Sequence, residues 1–178
     1  MFLDRDGVLN KVRMKGDVPC PPADLSDLEI LPNVPEALLS LRQAGFRLIV
    51  VTNQPDVARG TTPRESVEAI NQYLLSHLPL DSVEVCYHDD ADHCDCRKPR
   101  PGMLTGAAER YGIDVTSSFM VGDRWRDMEA GRLAGCSTIL VGVGYKEGVR
   151  GEPDKAASSL LEAAQWIIQQ HTSRNIRS

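Results

Sequence analysis

"FRLIVVTNQ", residues 46–54, decides the fold. The run Phe46 to Val51 is β-rich and almost continuously apolar, which suits a strand buried on both faces. It then breaks at once into Thr52, Asn53 and Gln54. The same layout recurs along the chain: Ser82 to Val85, Ser118 to Val121 and Ser137 to Val141 are further β-rich runs. Between these runs, Val34 to Ala44, Arg64 to His77, Pro101 to Tyr111 and Arg124 to Ala134 carry apolar residues at helical spacing. Three of these helices stop beside a glycine (Gly45, Gly112, Gly135), as helices often do. A last helix is expected over about Ala156 to Gln170, with a frayed polar tail at 172–178. Alternating strands and helices across one domain, residues 1–171, predict an α/β fold: a doubly wound parallel sheet with helices on both faces. The first strand, Met1 to Asp4, is short beside the usual five or six residues or so, which suggests that a few residues precede it in the natural chain. Residues 5–32 form the longest irregular stretch.

Composition excludes several classes. A net charge of −5 is wrong for a general polyanion binder, so no nucleic-acid partner is expected. Local basic spots at Arg97-Lys98 and Arg124-Trp125-Arg126 remain able to receive a small anion. No run approaches the roughly 18 apolar residues of a membrane span, and the opening Met-Phe-Leu-Asp-Arg-Asp reads as neither a signal nor a transit peptide. The 5 cysteines are odd in number and three lie within eleven residues, a pattern of reduced metal ligands and not of a disulfide framework. Together these readings place the chain in the cytoplasm, and a monomer is the default expectation.

In a parallel sheet, ligands bind beyond the carboxyl ends of the strands. Read in order, those ends supply Asp4-Arg5-Asp6-Gly7, Thr52-Asn53-Gln54, a cysteine loop running into Lys98, and Gly122-Asp123 followed by Asp127. Asp4, Asp6 and Asp123 on one edge would repel one another unless a divalent cation held them ionised, and oxygen ligands of this kind select Mg²⁺. An aspartate is already ionised at neutral pH, so it can attack phosphorus without a separate base. Lys98 and Mg²⁺ would offset the charge between that nucleophile and an anionic phosphate ester. Asp6 could protonate the leaving alcohol and later take a proton from water, while Thr52 and Asn53 donate to the phosphoryl oxygens. Each piece alone is ordinary: an Asp-x-Asp turn, a polar loop, a helix cap, a surface lysine. Their order at successive strand ends makes a phosphatase site.

"FLDRDGVLN", "VVTNQ", "RKP" and "VGDRWRDMEAG" resemble the four motifs of the haloacid dehalogenase superfamily of phosphatases, over residues 2 to about 145. The resemblance implies a Rossmann-like core, Asp4 as a nucleophile forming an aspartyl-phosphate, Asp6 as general acid and base, and Thr52 and Lys98 as stabilisers of the phosphoryl group. It implies Mg²⁺ on the side chains of Asp4 and Asp123 and on the main-chain carbonyl of Asp6, with Asp127 acting from behind. No insertion between the strands is large enough for a separate cap domain.

"VCYHDDADHCDC", residues 85–96, holds Cys86-x-His88 and Cys94-x-Cys96: three thiolates and an imidazole, a tetrahedral zinc set with no open position. Such an ion would be structural, stiffening the loop that carries Arg97 and Lys98. His93 competes with His88 as fourth ligand, and His88 pairs more symmetrically with the second clamp. A redox pair at Cys94 and Cys96 leaves Cys86 and His88 unexplained. Within the superfamily this loop is similar to that of two groups, the heptose 1,7-bisphosphate phosphatases and the histidinol phosphatases, and "ARG" at 58–60 and "PGM" at 101–103 favour the former. That likeness implies substrate contacts from Arg97, from the Asn53 to Pro55 loop including Gln54, from Arg124 and from Val12 to Lys15. Pro55-Asp56 and Cys20-Pro21-Pro22 depart from the heptose pattern. The expected activity is removal of the 7-phosphate from a heptose 1,7-bisphosphate. The alternatives are a histidinol-phosphate phosphatase, a sugar transferase using Asp-x-Asp, and a non-catalytic zinc-stabilised binding module.

Overall fold

The computed structural model describes residues 1–16, 18–142 and 152–175. Six parallel strands form one sheet: β1 (Phe2–Leu3), β4 (Ile49–Asn53), β5 (Ser82–Cys86), β6 (Phe119–Gly122), β7 (Ser137–Val141) and β8 (Lys155–Ala157). Between β1 and β4 lie the two strands of a small hairpin, β2 (Arg13–Lys15) and β3 (Val18–Cys20). The sheet order is β5-β4-β1-β6-β7-β8, so the chain leaves β1 in one direction and then returns to extend the other side. Asp4 therefore stands beside the point where the winding reverses, the usual place for a ligand crevice. β1 is only two residues long, but its ladder continues at both ends through Ile49 N–H to the Met1 carbonyl (3.1 Å) and Asp4 N–H to the Val121 carbonyl (2.8 Å).

Helices α1 (Val34–Gln43), α2 (Arg64–His77), α3 (Gly102–Tyr111), α4 (Trp125–Ala134) and α5 (Leu160–Asn175) cover the sheet. Successive strand residues face opposite sides. Leu3, Val50 and Val121 pack with α1, α2 and α5 in one core. Phe2, Ile49 and Met120 pack with α3 and α4 in the other. The strands read as continuous apolar runs because both faces are covered. Gly131 on α4 would place a Cβ 2.7 Å from that of Met120, so only glycine lets this helix lie so close to the sheet.

Three expectations need correction. The stretch 5–32 is not wholly irregular: Arg13, Met14 and Lys15 are exposed and carry no apolar alternation, yet they pair with Val18–Cys20. The last helix begins at Leu160, not at about Ala156, because Lys155–Ala157 join the sheet edge and Ser159 then caps the helix, accepting from Glu162 N–H at 3.3 Å. That helix also runs on to Asn175, into the stretch expected to fray. Among the described residues no inserted domain caps the sheet, and none of the helices is long and apolar enough to cross a membrane.

Candidate active site

The carboxyl ends of β1, β4 and β6 meet around Lys98. Its ammonium donates to Asp4 Oδ1 (2.7 Å), Asp127 Oδ1 (2.6 Å) and the Val51 carbonyl (2.8 Å). Burial works against that charge, but Asp127 and Asp4 outweigh it and hold the ammonium above the usual lysine range. Burial pushes the Asp4 carboxyl up to about 7, against the pull of Lys98 and with Asp127 and Asp6 adding to the rise. A cation beside Asp4 would favour its ionised, nucleophilic form. The lysine is aimed from its own backbone: Asn53 Nδ2 donates to the Lys98 carbonyl (2.9 Å) and Asn53 Oδ1 accepts from the Lys98 N–H (3.1 Å).

Asp4, Asp123 and Asp127 each offer a carboxylate oxygen within 4.8 Å of the others, and all three residues are buried. Gly7, with φ +87°, makes the room: a Cβ there would lie 1.9 Å from Asp123 Oδ2. An all-oxygen, anionic donor set packed this closely fits Mg²⁺. Asp127 is already committed, with Oδ1 on Lys98 and Oδ2 accepting from Arg124 N–H (3.1 Å), which leaves Asp4 and Asp123 as the side-chain donors best placed for an ion.

The Asp6 carboxylate stands beside these groups and is held by a set of its own. Arg5, wholly buried, donates to it from Nε (3.2 Å to each oxygen) and from its terminal nitrogen (3.0 Å), and a second arm of the same guanidinium reaches Asn71 Oδ1 (2.8 Å). Asn10 Nδ2 (2.9 Å) and Gln54 Nε2 (2.8 Å) complete the set. Gln54 Nε2 also reaches Thr52 Oγ1 at 2.9 Å, so one amide fixes both the carboxylate and the hydroxyl.

Asp4, Asp6, Thr52, Asn53, Lys98 and Asp127 form the floor of a cavity of about 300 Å³. Its walls come from the hairpin (Val18 to Pro21), the loop after β4 (Pro55, Asp56, Arg59), the zinc-set loop (Asp90, Arg97) and the start of α4 (Arg124, Arg126). Arg124 donates to the Pro19 carbonyl at 3.0 Å and so ties the hairpin to α4.

Beside the cavity, Cys86 Sγ lies 3.7 Å from His88 Nδ1, 3.7 Å from Cys94 Sγ and 3.2 Å from Cys96 Sγ. Cys96 Sγ is 3.3 Å from His88 Nδ1 and 3.4 Å from Cys94 Sγ. A tetrahedron with a metal–sulfur bond of about 2.3 Å has edges of about 3.7 Å, so the four atoms are spaced to close on a zinc ion. His93 is outside this cluster.

The comparisons with known proteins agree. A family model described as HAD-hydrolase-like matches residues 95–163. The heptose-1,7-bisphosphate 7-phosphatase of Photorhabdus laumondii is 36% identical over 92% of this chain and 89% of its own length. That of Pseudomonas aeruginosa is 38% identical over 86% of each. The chain belongs to the haloacid dehalogenase-like phosphatases. Among solved structures, the D,D-heptose 1,7-bisphosphate phosphatase from B. bronchiseptica, complexed with magnesium and phosphate, aligns with a TM-score of 0.82 at 29% identity, covering 96% of this chain and 98% of that one. As a member of this family the chain is a phosphoric monoester hydrolase.

For this haloacid dehalogenase-like phosphatase, the structure gathers most residues expected at the site and redistributes others. Asp4, Asp6, Thr52, Asn53, Arg97, Lys98 and Arg124 line the cavity, and Asp123 lies with Asp4 and Asp127. Gln54, expected against substrate, is 2% exposed and lies behind the wall as a brace for Asp6 and Thr52. Of Val12 to Lys15 only Val12 lines the cavity, and the returning strand, with Cys20, supplies that wall instead. Sequence reasoning missed Arg5, Arg59 and Asp90. An arginine inside Asp-x-Asp and the Asp-Asp pair after His88 were visible, but nothing local showed which carboxylates the arginines would meet.

Proposed function

We propose that this chain removes the 7-phosphate from D-glycero-D-manno-heptose 1,7-bisphosphate, with Asp4 as the nucleophile. The observation that carries the reading is the Asp4 carboxylate at the winding reversal, hydrogen-bonded to a buried lysine at 2.7 Å on the floor of an arginine-rimmed cavity. The names of the relatives supply the sugar.

Asp4 attacks phosphorus as the ester P–O bond breaks, and Asp6 passes a proton to the departing sugar oxygen. Asp6 then accepts a proton from the water that attacks the aspartyl-phosphate, which frees inorganic phosphate and restores Asp4. Lys98 and the hydroxyl of Thr52 stabilise charge on the transferring group, and Asp127 keeps Lys98 in position. Asp4, Asp123 and the Asp6 main-chain carbonyl would hold Mg²⁺, which supplies Lewis-acid charge neutralisation at the phosphate. Arg97, Arg124 and the loop Asn53 to Pro55 face the remainder of the substrate. Cys86, His88, Cys94 and Cys96 would hold a structural zinc ion that fixes the loop carrying Arg97 and Lys98. We place the protein in the cytoplasm on the strength of its free cysteines, with a monomer as the default state.

The test is phosphate release with Mg²⁺ from the α and β anomers of heptose 1,7-bisphosphate and from histidinol phosphate. The reading expects the 7-phosphate to leave one heptose anomer fastest, with the 1-phosphate retained. Faster release from histidinol phosphate would overturn the sugar. Zinc binding without release from any ester would leave the binding module.

A further inference from the structure

Charges of opposite sign alternate along the rim of the cavity. Arg59 contacts Asp56 (3.2 Å) and forks onto Asp89 (2.7 Å to each oxygen). Arg97 lies 3.9 Å from Asp89 and donates to Asp90 Oδ1 at 2.8 Å, and Arg126 reaches the same Asp90 oxygen at 3.4 Å. One exposed carboxylate thus bridges two cations that line the cavity, one from the zinc-set loop and one from the start of α4.

The members of this bridge are not held equally. The Arg97 side chain is 10% exposed and is also tied to the His88 carbonyl (3.4 Å). The Arg126 guanidinium rests over the Trp125 ring, 5.0 Å from its centroid. The Asp90 side chain is 59% exposed and belongs to a single 3₁₀ turn, Asp90–Asp92, with no buried residue. Rotating Asp90 into solvent disturbs little, whereas moving the arginines disturbs packing. Of the three side chains the carboxylate is the most exposed, at 59% against 31% for Arg126 and 10% for Arg97, and it is the movable part.

We infer that Asp90 is a built-in counter-ion that competes with the substrate's second phosphate for Arg97 and Arg126. This rests on the reading of the substrate as a bisphosphate. A phosphate monoester carries nearly two charges and three acceptor oxygens, so it displaces a single carboxylate from the two guanidinium groups. After the reaction the product still carries that second phosphate. Asp90, tethered beside the arginines, returns at high effective concentration and releases it. The competitor weakens substrate binding somewhat and prevents the product from being trapped.

The experiment measures two inhibitors of p-nitrophenyl phosphate hydrolysis, fructose 1,6-bisphosphate and fructose 6-phosphate, in the wild type, Asp90→Asn and Arg126→Met. The ratio of their inhibition constants reports the second anion site. Asp90→Asn is expected to tighten the bisphosphate about threefold to fivefold relative to the monophosphate, and Arg126→Met to loosen it by a similar factor. With heptose 1,7-bisphosphate, Asp90→Asn should also lower KM and strengthen inhibition by heptose 1-phosphate. A bisphosphate bound more weakly by Asp90→Asn, or a ratio unchanged in both variants, overturns the inference and makes Asp90 a mere support for Arg97. Wild-type enzyme that ignores the heptose ester but shows opposite shifts in the two variants would reject the substrate and keep the counter-ion.

Discussion

Asp4, Lys98, Asp123 and Asp127 are drawn from distant parts of the chain, whereas Cys86, His88, Cys94 and Cys96 lie within eleven residues. The carboxylate centre exists only once β1, β4 and β6 are side by side, and two of its three buried carboxylates share one lysine. The thiolate clamp needs only the end of β5 and the loop that follows, and three of its four ligands are not buried. A centre with its own internal cation should keep its shape when its ion leaves. A local clamp of four soft ligands has no such substitute, so its order depends on the ion.

The sharpest break between the two regions is expected from Asp4→Asn, which removes the nucleophile and leaves the clamp untouched. Turnover should fall at least about a thousandfold, with an unchanged circular dichroism spectrum and full zinc content. Residual activity near the wild type would remove Asp4 from the chemistry. Next comes Lys98→Met, which strips the cation from two buried carboxylates. A loss of about 3–5 kcal/mol in urea unfolding is expected, and an unchanged midpoint would mean that the centre is not held by its lysine.

Removing the two ions should separate the regions directly. Chelating zinc, or introducing Cys96→Ser, forfeits about 4 kcal/mol if free zinc exceeds its dissociation constant about a thousandfold. For a chain of this size that lowers Tm by about 8–16 °C. Withholding Mg²⁺ should abolish phosphate release and leave Tm nearly unmoved, with activity restored on adding it back. Equal thermal effects from both ions would erase the contrast. The smallest effect is Gln54→Leu, which removes the bridge between Asp6 and Thr52 at a cost of about 1 kcal/mol. It should lower kcat with KM little changed, and a rise in KM alone would restore Gln54 to the substrate-facing wall.

The two regions also differed in how much of them could be read from sequence. The clamp is legible from spacing alone, since two Cys-x-ligand pairs in one loop bring four ligand atoms together without reference to the rest of the fold. The carboxylate centre is legible only through the strand-end rule, which correctly gathered Asp4, Thr52, Lys98 and Asp123. Gln54 escaped that rule because the rule gathers residues at a strand end without saying which of them reach the cavity, and the Gln54 amide is taken up by Thr52 Oγ1 and Asp6 instead. The hairpin at 13–20 escaped because both faces of β2 are exposed, so no apolar period marks it, although Gly16-Asp17 between short runs is a turn signal. The rim pairs among Arg59, Asp89, Arg97, Asp90 and Arg126 are choices among many charges, settled by loop packing and not by order along the chain.

Gly7 brings a consequence of another kind. The volume that any side chain would need at this position is filled by the carboxylate of Asp123, and its backbone angle is one that side chains resist. In a saturation library selected for phosphate release, position 7 should therefore tolerate no replacement, even though glycine has no functional group to contribute. Intolerance at such a position records the shape of the ion's berth, and a map of mutational tolerance would outline that berth as clearly by its glycine as by its acids.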